Sequence, residues 1–243
     1  MAMDNKYYAP KTSTKENDGE KEFRWYLEEL QQAGWIKGFT REAETFKVMN
    51  EFSHLREIHH KTKENALESF NLLRSINYTY DFRIIWNDCS LNIFTELYSN
   101  KGHFRFGKPP FISHRLEVAG RMEIVSYVDV KPHANAMARS GGKSASYYTF
   151  PFVQKILMFF HGLYINKIIP SPSNKSDGVN TCLFATTFTP NRYLFTEGGG
   201  ALRKLHHRAV TLNAFTLKKK GIIDQLIKAI EKKELNNNQT GLF

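Results

Sequence analysis

The chain has little cysteine and no long uninterrupted apolar run. Its 243 residues include only two cysteines, Cys89 and Cys182, and neither belongs to a Cys-x-x-Cys motif. This excludes a zinc ribbon and disfavours a disulfide framework, so we interpret both as ordinary thiols in a reducing compartment. The most apolar stretch, residues 150–170, is interrupted by Gln, Lys, His and Asn and is too polar to span a bilayer. Since the N-terminus also lacks an apolar signal region, we expect a soluble cytoplasmic protein without a membrane partner.

Acidic residues are too few to balance the basic ones. The sequence contains 34 Lys and Arg against 24 Asp and Glu, a net charge of +10. Such a surplus suits a polyanionic partner, with nucleic acid as the first candidate, although a solvated basic surface is the alternative interpretation. A hydrophobic content of 41% and an aromatic content of 14% are ample for a packed core and disfavour global disorder.

Residues 121–131 read as a buried strand that ends in Asp129-Val130-Lys131. Side chains at positions i and i+2 of a strand point to the same face, so the strand holds an acid beside a lysine. The carboxylate can bind a hard divalent cation, and the ammonium can position or deprotonate a water molecule. This pair is the minimum equipment for metal-assisted cleavage of a phosphodiester, although Asp-x-Lys alone is a weak signal.

The rest of the chain alternates between helical and strand patterns, which predicts an α/β fold. We expect a flexible leader at residues 1–18, then a helix that begins near Asp18 and stops at Gly34. Strands are predicted at 45–52, 77–86, 121–131, 164–169 and 181–188, and helices at 150–163 and 221–233. Residues 54–71 are interpreted as a solvated helix or an excursion, residues 87–120 as an insertion, and residues 236–243 as a disordered tail.

Two further acids are candidates for the same site, each with a structural alternative. Asp81 lies inside a predicted strand, where a charged residue suggests a metal, a solvent-facing side or an ion pair with Arg83 on the same face. Glu20 lies in the first turn of the first helix, where the helix dipole alone explains a carboxylate. Rival glutamates on that helix are Glu22, Glu28 and Glu29.

Two basic segments could contact phosphates. Residues 132–148 form a predicted flexible loop with Arg139 and Lys143 beside the proposed site, and a second cluster contains Arg203, Lys204 and Arg208. Such side chains suit contacts with a nucleic-acid backbone, whereas the alternative is a plain surface linker. The glycine spacing excludes a phosphate loop of the Gly-x-x-x-x-Gly-Lys-Ser/Thr kind.

In order, the pattern is a helix with Glu20, a strand, a strand with Tyr80-Asp81-Phe82, a strand with Val128-Asp129-Val130-Lys131, a helix and a strand. This order resembles the PD-(D/E)xK nuclease superfamily, which has the restriction-endonuclease-like fold. The resemblance covers about residues 20–190. Residues 20–36 are similar to the opening helix of phage and bacterial proteins of the Holliday-junction-resolvase type.

The resemblance implies a mixed central sheet flanked by helices, with a nuclease core at 19–190, the insertion at 87–120 and a basic C-terminal extension with a helix at 191–243. It implies that Glu20, Asp81 and Asp129 bind Mg²⁺ or Mn²⁺ and that Lys131 orients the attacking water. Lys155 or its neighbour Gln154 falls where related enzymes place a further polar residue. The implied function is a Mg²⁺-dependent endodeoxyribonuclease that acts on branched recombination DNA. The resemblance is compatible with a homodimer and, for a phage-encoded enzyme, with a location in the cytoplasm of the host cell.

Several alternatives remain open at this point. A non-catalytic nucleic-acid-binding protein would use the same basic clusters, and a phage structural component would need no chemistry. A transposition-associated nuclease would share the fold, whereas a histidine-metal nuclease is a weaker alternative because none of the nine His has convincing ligand spacing. Catalysis requires Asp81, Asp129 and Lys131 to converge, and a binding module does not.

Overall fold

A mixed six-stranded sheet forms the centre of the computed structural model, which describes residues 16–42, 44–58, 66–99, 109–131, 145–172, 182–194 and 209–240. The helices are α1 Asp18–Gln32, α2 Ala145–His161, α3 Leu183–Thr186, α4 Asn191–Leu194 and α5 Leu212–Thr240. The strands are β1 Ile36–Arg41, β2 Thr45–Met49, β3 Phe52–Ile58, β4 Ala66–Leu73, β5 Ile76–Thr79, β6 Phe82–Trp86, β7 Thr95–Leu97, β8 Phe111–Val118, β9 Arg121–Val130 and β10 Ile165–Ile168.

The sheet runs in the order β1-β6-β9-β8-β7. Strand β9 is its hub, because it pairs antiparallel with β6 along one edge and with β8 along the first half of the other. The second half of that edge pairs with β10 in parallel, through residues 127–130. The chain thus carries a mixed α/β fold in which helices flank a central mixed sheet, as the sequence predicts.

Each face of the sheet carries its own core. On one face, Phe82 and Trp86 of β6 pack in a cluster with Phe23 and Tyr26 of α1 and with residues of α3, α4 and α5. The other face carries a smaller cluster of β9 and α2 side chains, together with neighbours from β2, β10 and the loops: Val48, Tyr80, Val125, Tyr127, Phe150, Leu157, Leu163 and Ile165. Because successive side chains of β9 alternate between these clusters, its odd-numbered residues from Val125 onward point toward α2.

Helix α1 begins and ends close to where the sequence predicts. The side chain of Asn17 caps it by accepting a hydrogen bond from the N–H of Glu20 at 2.9 Å. At the other end Gly34 adopts φ +76°, a left-handed conformation that glycine adopts without steric cost. The chain then turns into β1, a strand that the sequence analysis does not predict.

A two-stranded antiparallel ribbon leaves the sheet between β1 and β6. Strand β2 pairs with β5, and β3 pairs with β4 further out. We call these residues, 45–58 and 66–79, the ribbon. The predicted strand at 45–52 is therefore present, but it belongs to the ribbon rather than to the central sheet. Where the structure describes the segment 54–71, at residues 54–58 and 66–71, it forms strands β3 and β4, so the helical interpretation is wrong for these residues and the excursion is made of strands.

Three other predictions need correction. The predicted strand at 77–86 is interrupted at Tyr80-Asp81, so that β5 belongs to the ribbon and β6 to the sheet. The described residues of the predicted strand at 181–188, from 182 onward, do not form a strand, because residues 183–186 form the short helix α3. The C-terminal helix begins at Leu212, nine residues before the predicted start, and its helical backbone runs to Thr240 through most of the predicted disordered tail.

The segment at 87–120 contributes to the sheet rather than standing apart from it. Strand β8 lies beside β9, and β7 forms the sheet edge next to β8. The predicted helix α2 and the strand β10 that follows it are both confirmed, with bounds close to the predicted ones. No helix in the described ranges combines the length and apolar character needed to cross a membrane.

Candidate functional site

The C-terminal end of β9 places an acid and a lysine in direct contact. Lys131 Nζ lies 2.7 Å from Asp129 Oδ1, and both side chains are largely buried. Their i, i+2 spacing puts them on the α2 face of the sheet, as the sequence predicts. The ammonium of Lys131 also lies 5.5 Å from the ring centroid of Phe150, within the range of a cation–π contact.

Asp81 lies beside this pair because the chain breaks its strand there. Its N–H donates a hydrogen bond to the carbonyl of Val128 at 3.0 Å, and its Oδ2 accepts one from the N–H of Val130 at 2.6 Å. The side chain is therefore tied to the backbone on either side of Asp129. Arg83, the alternative partner proposed from the sequence, instead forms an ion pair with Glu44 at 2.5 Å.

Asp81 lies close enough to other carboxylates that their negative charges affect its pKa. Burial first, and then the negative charges of Asp129 and Glu20, raise the pKa of Asp81 to about 7 against the opposing effects of the Val130 N–H and the charge of Lys131. A carboxylate that resists ionisation beside other carboxylates gains from a nearby cation. The same interactions show that Asp129, Glu20 and Lys131 all lie within electrostatic range of Asp81 at this end of the sheet.

Glu20 reaches the site from the first turn of α1. A Cβ on the preceding residue, Gly19, would lie 3.5 Å from Val130 Cγ1 and 3.7 Å from Pro170 Cγ, so this turn packs closely against the end of β9. Glu20 Oε2 forms an ion pair with Arg41 of β1 at 2.5 Å. Burial raises the pKa of Glu20, and the Arg41 guanidinium opposes that rise. Glu20 thus lies near the site, but its negative charge is already paired with the positive charge of Arg41.

Tyr78 is a site residue that the sequence analysis misses. Its hydroxyl donates a hydrogen bond to Asp129 Oδ2 at 2.5 Å, so that Tyr78 and Lys131 hold the two oxygens of one carboxylate. Burial and the charge of Asp129 raise the pKa of Tyr78 well above its usual range, which keeps the hydroxyl protonated as a donor. Tyr78 belongs to β5, so it joins the base of the ribbon to the site.

Other predicted residues lie away from this contact. Lys155 is exposed on α2, whereas the adjacent Gln154 donates its side-chain amide to the carbonyl of Ile165 at 2.7 Å. A second lysine, Lys167 of β10, pairs in register with Asp129. The proposed phosphate-contacting residues all lie outside the described ranges: Arg139, Lys143, Arg203, Lys204 and Arg208.

Two of the rival glutamates of α1 interact with residues outside the site. Glu28 forms an ion pair with Arg24 at 2.5 Å, and Glu29 accepts a hydrogen bond from the N–H of Asn191 at 2.9 Å. Burial raises the pKa of Glu22 to about 7, with a smaller contribution from the charge of Asp18. Of the four acids on this helix that the sequence offers, Glu20 alone is coupled to Asp81.

The donor chemistry at the end of β9 fits a hard cation with two carboxylate ligands. Mg²⁺ prefers oxygen ligands, and carboxylates are presented by Asp81, at the break between β5 and β6, and by Asp129 of the adjacent strand β9. A carboxylate has about four acceptor positions, so Asp129 can keep its contacts with Lys131 and Tyr78 and still bind an ion. No group of three or more His, Cys, Asp or Glu in the described ranges is arranged to hold a metal. Glu20, whose carboxylate is paired with Arg41, therefore does not complete a three-acid cage in this structure.

No protein-family model matches the chain, and no curated protein or solved structure matches it either.

Proposed function

We propose that this protein is a divalent-metal-dependent DNA endonuclease of the PD-(D/E)xK type with a restriction-endonuclease-like core. The observation that carries the proposal is the meeting of Asp81, Asp129 and Lys131 at one end of the sheet. In chain order, α1 carries Glu20, Asp81 lies directly before β6, Asp129 lies in β9 with Lys131 directly after it, and α2 and β10 follow. The resemblance rests on this order of motifs, but the strand of the central sheet that lies between α1 and Asp81 is β1 rather than the predicted strand at 45–52.

Each residue has a distinct part in the proposed reaction. Asp81 and Asp129 hold the divalent ion, which when bound polarises the scissile phosphate and lowers the pKa of a water molecule. Lys131 brings a positive charge to the position where negative charge develops on the phosphate, and it orients the attacking water. The hydroxyl of Tyr78 donates to Asp129 Oδ2 and so competes with the ion for that oxygen. Glu20 is the third ligand of the ion, and its carboxylate becomes available only when Arg41 pairs with another anion such as a phosphate.

The net charge of +10 makes DNA the natural polyanionic partner. We assign the phosphate contacts to Arg139 and Lys143 after β9 and to Arg203, Lys204 and Arg208 before α5. A branched substrate, such as a four-way junction, follows from the resemblance to junction-resolving enzymes. Phosphate contacts position a nucleic acid without reading its sequence, so substrate choice would rest on DNA shape.

Cleavage assays with matched variants test this proposal. Labelled four-way junction, linear duplex and single strands are incubated with wild type in Mg²⁺ or EDTA. We expect Mg²⁺-dependent cutting of the junction and a loss of at least about a hundredfold in Asp129→Asn and Lys131→Ala. The matched controls are Glu123→Gln at the other end of β9 and Lys37→Ala, its ion-pair partner, which keep activity. Equal activity in wild type and site variants refutes the assigned residues.

A second candidate function is a non-catalytic DNA-binding protein on the same scaffold. The observation in its favour is that the acids are already partnered, because Lys131 and Tyr78 hold Asp129 and Arg41 holds Glu20. In that case the cluster is a structural ion-pair network. Salt-dependent DNA binding without any cleavage in Mg²⁺ or Mn²⁺, unchanged in Asp129→Asn, would select this function over the nuclease.

A further inference from the structure

Helix α2 exposes three phenylalanines on the side that points away from the sheet. Phe152, Phe159 and Phe160 are 64%, 83% and 61% exposed. On the opposite side of the same helix, Phe150 and Leu157 are buried in the cluster that packs against the sheet. Single exposed apolar residues are common on protein surfaces, but three aromatic rings within nine residues of one helix form an apolar patch of the kind that marks an interaction site.

Most of these exposed side chains form one stripe with a lysine. Successive residues of an α-helix are rotated by about 100°, so positions i, i+3 and i+7 lie on one side of the helix. Phe152, Lys155 and Phe159 have this spacing, and all three are exposed. Phe160 lies on the flank, where its ring meets that of Phe159 edge to face at a centroid distance of 5.1 Å. We call these four residues the α2 stripe.

Charge indicates which kind of partner covers the α2 stripe. Residues 130–176, which include all of α2, contain six Lys or Arg and no Asp or Glu. This part of the sequence therefore carries +6 of the net charge of +10. A second copy of the same basic face would bring like charges together. Aromatic rings beside a lysine instead suit an anionic partner with flat apolar faces, and a nucleic-acid strand with unpaired bases has both properties.

The spacing of the rings fits a short stack of bases. A helix rises about 1.5 Å per residue, so the seven residues from Phe152 to Phe159 span roughly 10 Å. Stacked bases of one strand are about 3.4 Å apart, so this span corresponds to about three base steps. Every base of a single strand can stack on an aromatic ring, whereas the bases of a duplex already stack on their neighbours. The α2 stripe therefore favours unpaired DNA over paired DNA.

The α2 stripe begins next to the proposed active site. The ring centroid of Phe150, in the first half of α2, lies 5.5 Å from Lys131 Nζ. Phe152 follows Phe150 by about half a turn, on the outer side of the helix. A strand stacked along the stripe would thus pass within roughly one helix diameter, about 10 Å, of the ring that contacts Lys131.

We propose that the α2 stripe is a stacking platform for the unpaired bases of single-stranded DNA. Stacking itself needs no cleavage, so it applies to both candidate functions. Its consequence for substrate choice rests on the proposed nuclease: cleavage is directed to DNA that combines a duplex with a single-stranded arm, such as a splayed arm or a flap.

Binding to normal and abasic strands tests the platform. A labelled single strand of mixed sequence and an abasic strand of the same length carry the same phosphate charge, but only the first can stack. In EDTA, which prevents metal-dependent cleavage, fluorescence anisotropy should show that wild type binds the normal strand at least about tenfold more tightly than the abasic strand. Phe152→Ala/Phe159→Ala should lose most of this difference and keep the affinity of wild type for the abasic strand.

Two kinds of control separate stacking from the loss of any exposed apolar side chain. Phe52→Ala removes a phenylalanine of similar exposure, 58%, from the ribbon and should bind both strands like wild type. Phe159→Leu keeps an apolar side chain without a ring and should weaken binding of the normal strand at least about fivefold, whereas Phe159→Trp should retain it. Because these side chains are exposed, thermal unfolding of each variant should match that of wild type.

A photochemical cross-link gives a second readout on the unaltered protein. A single strand that contains 5-iodouracil, irradiated in its complex with wild type, should attach to the peptide that contains Phe159 and Phe160. Attachment only to other peptides overturns the proposal, as does equal affinity of wild type for normal and abasic strands. It is also overturned if Phe152→Ala/Phe159→Ala keeps DNA binding but loses self-association or binding to anionic lipid vesicles, which would assign the α2 stripe to a second copy or to a membrane surface.

Cleavage assays in Mg²⁺ distinguish a failure of this inference from a failure of the nuclease proposal. In an active enzyme, Phe152→Ala/Phe159→Ala should raise KM for splayed-arm DNA at least about tenfold and leave kcat unchanged, since it removes binding without touching the reacting atoms. An unchanged KM overturns the platform and leaves the nuclease standing. No cleavage of any DNA by wild type refutes the nuclease, and the anisotropy comparison then decides the platform alone.

Discussion

Asp81 Oδ2 accepts a hydrogen bond from the N–H of Val130 at 2.6 Å, and this contact ties the break between β5 and β6 to the end of β9. The backbone N–H of Asp81 also donates to Val128, so the acid is held on both sides of Asp129. Two carboxylates distant in the sequence thereby become neighbours in a partly buried position. Burial, together with the charge of Asp129, raises the pKa of Asp81 and makes a cation favourable there.

Removing Lys131 should destabilise the fold by leaving Asp129 buried without its cation. Lys131→Met is expected to lower the free energy of unfolding by about 3 kcal/mol, since breaking a buried ion pair leaves an uncompensated charge. Adding Asp129→Leu should restore most of the loss. Urea unfolding in EDTA measures both. The control Lys37→Met breaks an exposed ion pair with Glu123 and should cost no more than about 1 kcal/mol.

Glu22 should make stability depend on pH near neutrality. Burial raises the pKa of Glu22 from its ordinary value of 4.5 to about 7, so folding favours the protonated form. The stability that this protonation contributes is complete below pH 4.5 and is lost as the pH rises through 7. We therefore expect Glu22→Gln to be more stable than wild type at pH 8 by about 1 kcal/mol and equal to it at pH 4.

Glu28→Gln is the matched control for this comparison, because Glu28 is paired with Arg24 and gains nothing from neutralisation. Thermal unfolding at a series of pH values gives the difference for each variant. A constant offset between Glu22→Gln and wild type across the whole range would show that titration of Glu22 does not contribute.

The hydroxyl of Tyr78 should compete with a divalent ion for Asp129. Tyr78→Phe frees one carboxylate oxygen, and a hydrogen bond to a charged group contributes about 1.5 kcal/mol, so the Mg²⁺ concentration at the midpoint of thermal stabilisation should fall about tenfold. Tyr80→Phe removes a buried hydroxyl from the neighbouring ring, outside this contact, and should leave the midpoint unchanged. A rise in the Tyr78→Phe midpoint would mean that the tyrosine helps to build the site.

The contact at the end of β9 was predictable because it depends only on residues that are close together in the sequence. A buried strand followed by Asp-x-Lys places the acid and the lysine together by the alternation of side chains alone, and the two atoms lie 2.7 Å apart. The N-cap and first turn of α1 are local in the same sense. The position of Asp81 was only partly predictable, because the strand break that aims its side chain depends on contacts with β9, 47 to 49 residues further on.

Neither the ribbon nor the contact of Tyr78 with Asp129 could be predicted from the sequence, and the reasons are related. The side chains of β3 and β4 that the structure describes are exposed, at residues 52–55, 57, 69 and 71–73, and the two strands show no clean alternation of apolar and polar residues in sequence. The Tyr78 contact joins residues 51 apart and leaves no motif. At 181–188 a strand is predicted, yet Thr187 Oγ1 donates to the carbonyl of Leu183 at 2.7 Å and supports a helical turn instead.

The most direct test is to count divalent ions at the end of β9. Electron paramagnetic resonance of Mn²⁺ titrated into the protein without DNA measures free and bound ion. We expect wild type to bind Mn²⁺ at this site and both Asp81→Asn and Asp129→Asn to lose at least about tenfold in affinity, whereas Glu123→Gln binds like wild type. Identical Mn²⁺ binding by all four proteins, or no binding by wild type, would contradict the proposal that Asp81 and Asp129 form one metal centre.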